Sequence, residues 1–190
     1  TVILGNQSSV HHNSAGQSGG GIVGYDGVNV LVLEGSSVHH NTAGSGGGGI
    51  RVHTNCVLNI GRNSKIYNNT AGSGGGAIHS LSSAIKIFAS SSLDYNVAGG
   101  SFGSSNDWVG GGIFSYGTDT VTITDSSVVG NTAVTAGNAI HTKVYNSATP
   151  TLTFINVNFG IMSGFHGAST TQSCSTAPTQ CEDNGYPNAI

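Results

Sequence analysis

The segment Ser9-Val10-His11-His12-Asn13-Ser14-Ala15 returns as Ser37-Val38-His39-His40-Asn41-Thr42-Ala43 and again as Lys65-Ile66-Tyr67-Asn68-Asn69-Thr70-Ala71. Looser copies surround Asn96 and Asn131, so the Asn steps are 28, 28, 27 and 35 residues. A second block, Gly19-Gly20-Gly21-Ile22, recurs as Gly47-Gly48-Gly49-Ile50, Gly75-Gly76-Ala77-Ile78, Gly110-Gly111-Gly112-Ile113 and Gly137-Asn138-Ala139-Ile140. A third, aliphatic block precedes the Asn motif, as in Val30-Leu31-Val32-Leu33, Leu58-Asn59-Ile60 and Ile85-Lys86-Ile87. Units this small cannot bury a hydrophobic face alone, so a chain built from them must stack them.

Each block is short, alternating and rich in β-branched residues, which reads as strand. Nothing between the blocks has the length and pattern of a helix. Three short strands per repeat, joined at Gly-rich corners, predict an all-β parallel β-helix (solenoid) of about six coils over residues 1–160. The repeat fails after Phe159, and 161–190 are expected to form an irregular, disulfide-containing cap or linker. The corner glycines Gly20, Gly48, Gly76 and Gly111 are expected to adopt positive φ, which glycine does without steric cost. The Ala two residues after each motif Asn implies a tight turn between the second and third strands.

The Asn column has a physical reason. Asn13, Asn41, Asn69, Asn96 and Asn131 would stack at the strand spacing of ~4.8 Å. A side-chain amide both donates and accepts, so it can satisfy turn backbone that burial cuts off from water.

Charged residues make up 7% of the 190-residue chain, with Lys+Arg 5 against Asp+Glu 8. That lacks the dense basic surface that neutralises phosphates, so nucleic acid is not an expected partner. No apolar run approaches the ~20 residues of a membrane span, so membrane insertion is not expected. The chain starts at Thr1, and we read it as a piece of a longer product.

Chemistry is hard to place on the repeat. The carboxylates occupy different columns, whereas glycoside hydrolysis needs two flanking one bond. Glu34 aligns with Arg62 one coil on, as a surface ion pair. No catalytic residue, cofactor or metal site is expected. His11, His12, His39 and His40 begin columns that Tyr67 and Asn68 continue, a polar and aromatic ladder. His79 and His141, with Phe114 between them, read as a mixed exposed face.

An insertion at about 100–107 lies beside the single Trp, Trp108, and Phe102, Asn106, Asp107 and Trp108 form a candidate contact loop. Cys174 and Cys181 are expected to form a disulfide, which implies an oxidising compartment. Cys56 is left as a buried small hydrophobe or an intermolecular bridge. Asn6 and Asn68 open sequons for N-glycosylation.

The aliphatic-x-x-Asn motif paired with Gly75-Gly76-Ala77-Ile78 resembles the repeats of polymorphic outer-membrane proteins and autotransporter-type adhesins. The Phe of that family's Phe-x-x-Asn is here Val10, Val38, Ile66, Leu93 or Val128. The resemblance implies right-handed winding, an extracellular or cell-surface location and a scaffold or adhesive role. The expected function is therefore a non-catalytic building block of a stalk, appendage or filament. Its partners would be further coils or other copies of itself. A carbohydrate-binding or pectin-lyase-like β-helix, with glycans as partners, is the alternative.

Overall fold

The computed structural model describes residues 1–99, 109–134, 137–143, 147, 148 and 150–159, and the backbone of 165–167 and 172–174. Among the described residues every element is a short strand, every pairing is parallel, and successive partners lie one repeat apart. The chain is a parallel β-solenoid. Five turns carry a full set of strands.

The strands line up in four sheets. Sheet 1 stacks Val2–Leu4, Asn29–Val32, Val57–Ile60, Ala84–Ile87, Thr120–Thr124, Thr151–Ile155 and Gln172–Cys174. Sheet 2 stacks Ser9–His11, Ser37–His39, Lys65–Tyr67, Ser92–Asp94 and Ser127–Val129. Sheet 3 stacks the two-residue strands Ser14–Ala15, Thr42–Ala43, Thr70–Ala71, Val97–Ala98 and Thr132–Ala133. Sheet 4 stacks Ile22–Tyr25, Ile50–His53, Ile78–Leu81, Ile113–Tyr116, Ile140–Lys143 and Phe165–Gly167. Sheet 3 lies where sequence reasoning had inferred only a tight turn. Two residues are long enough to pair with both neighbours when the next coil is in register, as Thr70 and Ala71 do with Thr42 and Ala43.

Register follows from alternation, because a slip of one residue would turn every apolar side chain outward. Ile66 pairs with Val38 and Leu93, and Ile85 with Leu58 and Val121. These residues, with Ile50, Ile78, Ile113 and Ile140, form one buried core running along the solenoid. Each fully buried Ile or Leu contributes roughly 1.5–3 kcal/mol relative to exposure. The long fourth coil leaves this stacking intact: Val97 pairs with Thr132 and Ile113 with Ile140.

The corner glycines act differently from expectation. Positive φ falls one residue earlier than predicted, at Gly19 (67°), Gly47 (72°), Gly75 (72°) and Gly137 (67°). Gly20, Gly48, Gly76 and Gly111 are required instead by close approach. A Cβ on Gly48 would lie 2.5 Å from the Gly76 carbonyl oxygen, and one on Gly76 would lie 2.3 Å from that of Gly111.

Candidate functional site: the sheet 2 face and its corner

The Asn column is the best-organised polar feature of the molecule. Asn41, Asn69 and Asn96 are fully buried, Asn131 nearly so, and Asn13 at the first coil is exposed. Asn41 donates from its backbone N–H and from Nδ2 to Asn69 Oδ1, at 3.0 and 3.1 Å. Asn69 does the same to Asn96, and Asn96 to Asn131. The second Nδ2 hydrogen goes back one coil, from Asn69 to the Val38 carbonyl and from Asn96 to that of Ile66, each at 3.0 Å. In the inner coils each amide thereby has two acceptors for its N–H groups and two donors for its oxygen.

Sequence reasoning missed a second ladder. Ser36, Ser64, Ser91 and Ser126 are buried, and their hydroxyls donate to the carbonyls of Gly5, Leu33, Gly61 and Phe88 in the preceding coil. The available signal was a Ser five residues before every motif Asn.

The residue before each motif Asn forms a corner of left-handed backbone: His12 (φ 56°), His40 (53°), Asn68 (53°), Tyr95 (54°) and Gly130 (64°). Asn and Gly adopt this conformation readily, whereas bulky side chains rarely do. The corner flanks the outward face of sheet 2. There His11 stacks on His39 at 4.9 Å and His39 on Tyr67 at 4.7 Å, while His12 stacks on His40 at 5.0 Å. Burial, then the neighbouring imidazoles of His11, His40 and His12, lower the His39 pKa below the usual imidazole value. One coil on, Lys65, Tyr67, Ser92, Asp94 and Tyr95 line an open groove of about 250 Å³.

The other expected sites divide. Asn6 and Asn68 are exposed, as glycosylation requires. Phe102, Asn106, Asp107 and Trp108, and the Cys181 end of the Cys174–Cys181 pair, lie outside the described residues, as does the Cys174 side chain. Cys56 is a buried free thiol whose Sγ donates to the His53 carbonyl at 3.2 Å, which leaves no access for an intermolecular bridge. Glu34 does not pair with Arg62. It accepts from Asn63 Nδ2 at 3.4 Å, and the Arg62 main-chain carbonyl serves Gly35 N–H.

The outward column of sheet 4 also departs from expectation. His79, Phe114 and His141 are buried rather than exposed, with Phe114 fully so, although none of the three belongs to the central core. His79 meets Phe114 edge to face at 5.1 Å, and Phe114 stacks on His141 at 5.5 Å. The His79 ring lies against Gly46, where a Cβ would be 1.8 Å from Nδ1. His79 Nδ1 is buried with no hydrogen bond. Burial, then Arg51 and His53, lower its pKa to about 3.

Asp119 is fully buried at the corner between sheets 4 and 1. It accepts from Ser83 N–H at 2.5 Å, from Tyr116 N–H at 3.0 Å and from Ser115 Oγ at 2.9 Å. Burial raises the Asp119 pKa to about 6 against these donors. The role of this carboxylate is to tie the fourth coil to the third.

Among the described residues, no group of three or more His, Cys, Asp or Glu side chains converges on a metal position, and no helix is long and apolar enough to cross a membrane. No family model, curated protein or solved structure matches the chain.

Proposed function

We propose that this chain is a structural or adhesive segment of an extracellular or cell-surface protein, a non-catalytic building block of a stalk, appendage or filament. The observation that carries this reading is the unbroken Asn ladder from Asn13 to Asn131. It joins five successive coils through side chains as well as backbone, which suits a body whose work is mechanical. The low charge, the exposed sequons at Asn6 and Asn68, and the repeats similar to those of autotransporter-type adhesins agree with a surface location. Its partners are further coils or other copies of itself, since every described strand pairs parallel with its counterpart one repeat away. Immunogold labelling of intact source cells tests the reading. Label on surface structures supports it, and label confined to the cell interior overturns it.

A second reading, glycan binding, is favoured by the groove between Tyr67 and Tyr95. Aromatic faces beside Lys65, Asp94 and Ser92 supply an apolar platform with a few orienting polar groups, the usual make-up of a small-ligand site. Incubation with acidic and neutral glycans separates the two readings. Saturable binding favours the second, and release of unsaturated products or new reducing ends contradicts the non-catalytic assignment.

A further inference from the structure

Two His-His steps on the sheet 2 face set pairs of imidazole nitrogens at the bite of a metal ion. Nδ1 of His11 lies 2.8 Å from Nδ1 of His12, and Nδ1 of His39 lies 2.8 Å from Nδ1 of His40. The rings of each pair meet edge to face, at 87° and 84°. Adjacent residues of a strand point to opposite faces. Here the left-handed backbone at His12 and His40 turns the second imidazole back toward the first. Two nitrogens about 2.0 Å from one ion, at a right angle to each other, lie roughly 2.8 Å apart. That cis spacing belongs to square-planar and tetragonal sites, the geometry of Cu(II) and Ni(II).

We propose that the His39–His40 pair, and likewise the His11–His12 pair, binds Cu(II) through Nδ1. Each ion takes two imidazole nitrogens from one coil and water at its remaining positions. Copper is favoured because it binds nitrogen ligands more tightly than the other divalent first-row metals. Sharing one ion between coils is ruled out by the stacking. His11 and His39 are parallel within 6° at 4.9 Å, so their in-plane lone pairs do not converge.

The His39–His40 pair also has the outer partners that a ligating His needs for its other nitrogen, supplied by the coils on either side. Ser9 Oγ is 3.0 Å from His39 Nε2, and Asn68 Nδ2 is 3.4 Å from His40 Nε2. Without metal, Asn68 donates to His40 Nε2, so His40 carries its proton on Nδ1 and donates that N–H as a hydrogen bond to His39 Nδ1. On binding, that proton moves to Nε2 and the Asn68 amide turns to accept it with Oδ1. No proton is released by this pair, and both Nδ1 lone pairs reach the ion. The array ends at the third coil, where Tyr67 and Asn68 replace the pair.

The test is titration of the intact chain with copper sulfate in a non-coordinating buffer, read by calorimetry and electron paramagnetic resonance. The expected result is up to two ions per chain, the second weaker through charge repulsion, each with two equatorial nitrogens. The double variant His12→Asn/His40→Asn should lose at least about tenfold in affinity, the scale on which metal sites respond even to loss of outer partners. Asn68 holds the same left-handed position one coil on, so the variant should keep the fold, checked by an unchanged circular dichroism spectrum. His53→Asn, away from both pairs, should bind as the parent does. Equal copper affinity in the parent and the double variant, a one-nitrogen spectrum, or loss of binding in His53→Asn would overturn the proposal. The pairs would then be N–H···N hydrogen bonds and nothing more.

Discussion

Asn96 Oδ1 accepts two hydrogen bonds from Asn69, one from its backbone N–H and one from its Nδ2, both at 3.0 Å. One side-chain oxygen thus satisfies a buried turn amide and a buried side chain of the coil before it. The relationship repeats along the solenoid, so loss of one member is felt on both sides.

Asn69→Ala should therefore be strongly destabilising. It removes the side-chain partners of the Asn41 N–H and the Val38 carbonyl, and one of the two acceptors of Asn41 Nδ2. At ~1–3 kcal/mol for each buried unsatisfied group, the loss should be several kcal/mol. Lys86→Ala, on the exposed outer face of sheet 1, should change stability by less than about 0.5 kcal/mol. Urea denaturation of both variants checks this, and equal midpoints would contradict the burial of the ladder. Ser64→Ala removes only one donor to the Leu33 carbonyl and should fall between them, at about 1–2 kcal/mol.

Much of this was legible in the sequence because a solenoid writes its contacts as a period. Asn41, Asn69 and Asn96 recur at the repeat spacing, and the residue above each one is its own copy. What was not legible depends on single coils. His79 and His141 looked exposed because alternation places them outside the core. Alternation cannot say that the outer face of sheet 4 is covered from the third coil on, as the complete burial of Phe114 reveals, while Val23 and Arg51 in the same column stay partly exposed. The corner glycines were found for a reason that belonged to their neighbours, since sequence does not separate a positive φ from a close backbone approach.

That distinction can be measured. Gly48→Ala forces a Cβ to 2.5 Å from the Gly76 oxygen, a contact with backbone that cannot yield cheaply. Gly27 has a φ of 77° but open space around it, so Gly27→Ala should cost only the left-handed penalty of ~1–2 kcal/mol. Thermal unfolding should rank Gly48→Ala well below Gly27→Ala, and the reverse order would refute close packing at that corner.

Two buried groups give opposing pH dependences. His79 has its pKa lowered from 6.5 to about 3, so its contribution is present above 6.5 and is lost as pH falls toward 3. Asp119 has its pKa raised from 3.8 to about 6, so its contribution is present below 3.8 and is lost as pH rises through 6. At ~1.4 kcal/mol per pKa unit the limits are roughly 5 and 3 kcal/mol, with opposite slopes between pH 3.8 and 6. Single variants should expose what the parent chain cancels. Across that window His79→Leu should lose stability as pH rises, and Asp119→Asn should gain it. Denaturation midpoints at pH 4, 5 and 6 test both, and parallel curves for the two variants would sink the assignment.

The claim that the buried Asn ladder joins successive coils into one cooperative body is tested most directly by native-state hydrogen exchange at the backbone N–H groups of Asn41, Asn69 and Asn96. The account predicts that all three are among the slowest in the chain and exchange only through global unfolding, so that their protection falls together with added denaturant. Fast or unequal exchange at these three amides, while the strands around them stay protected, would contradict it.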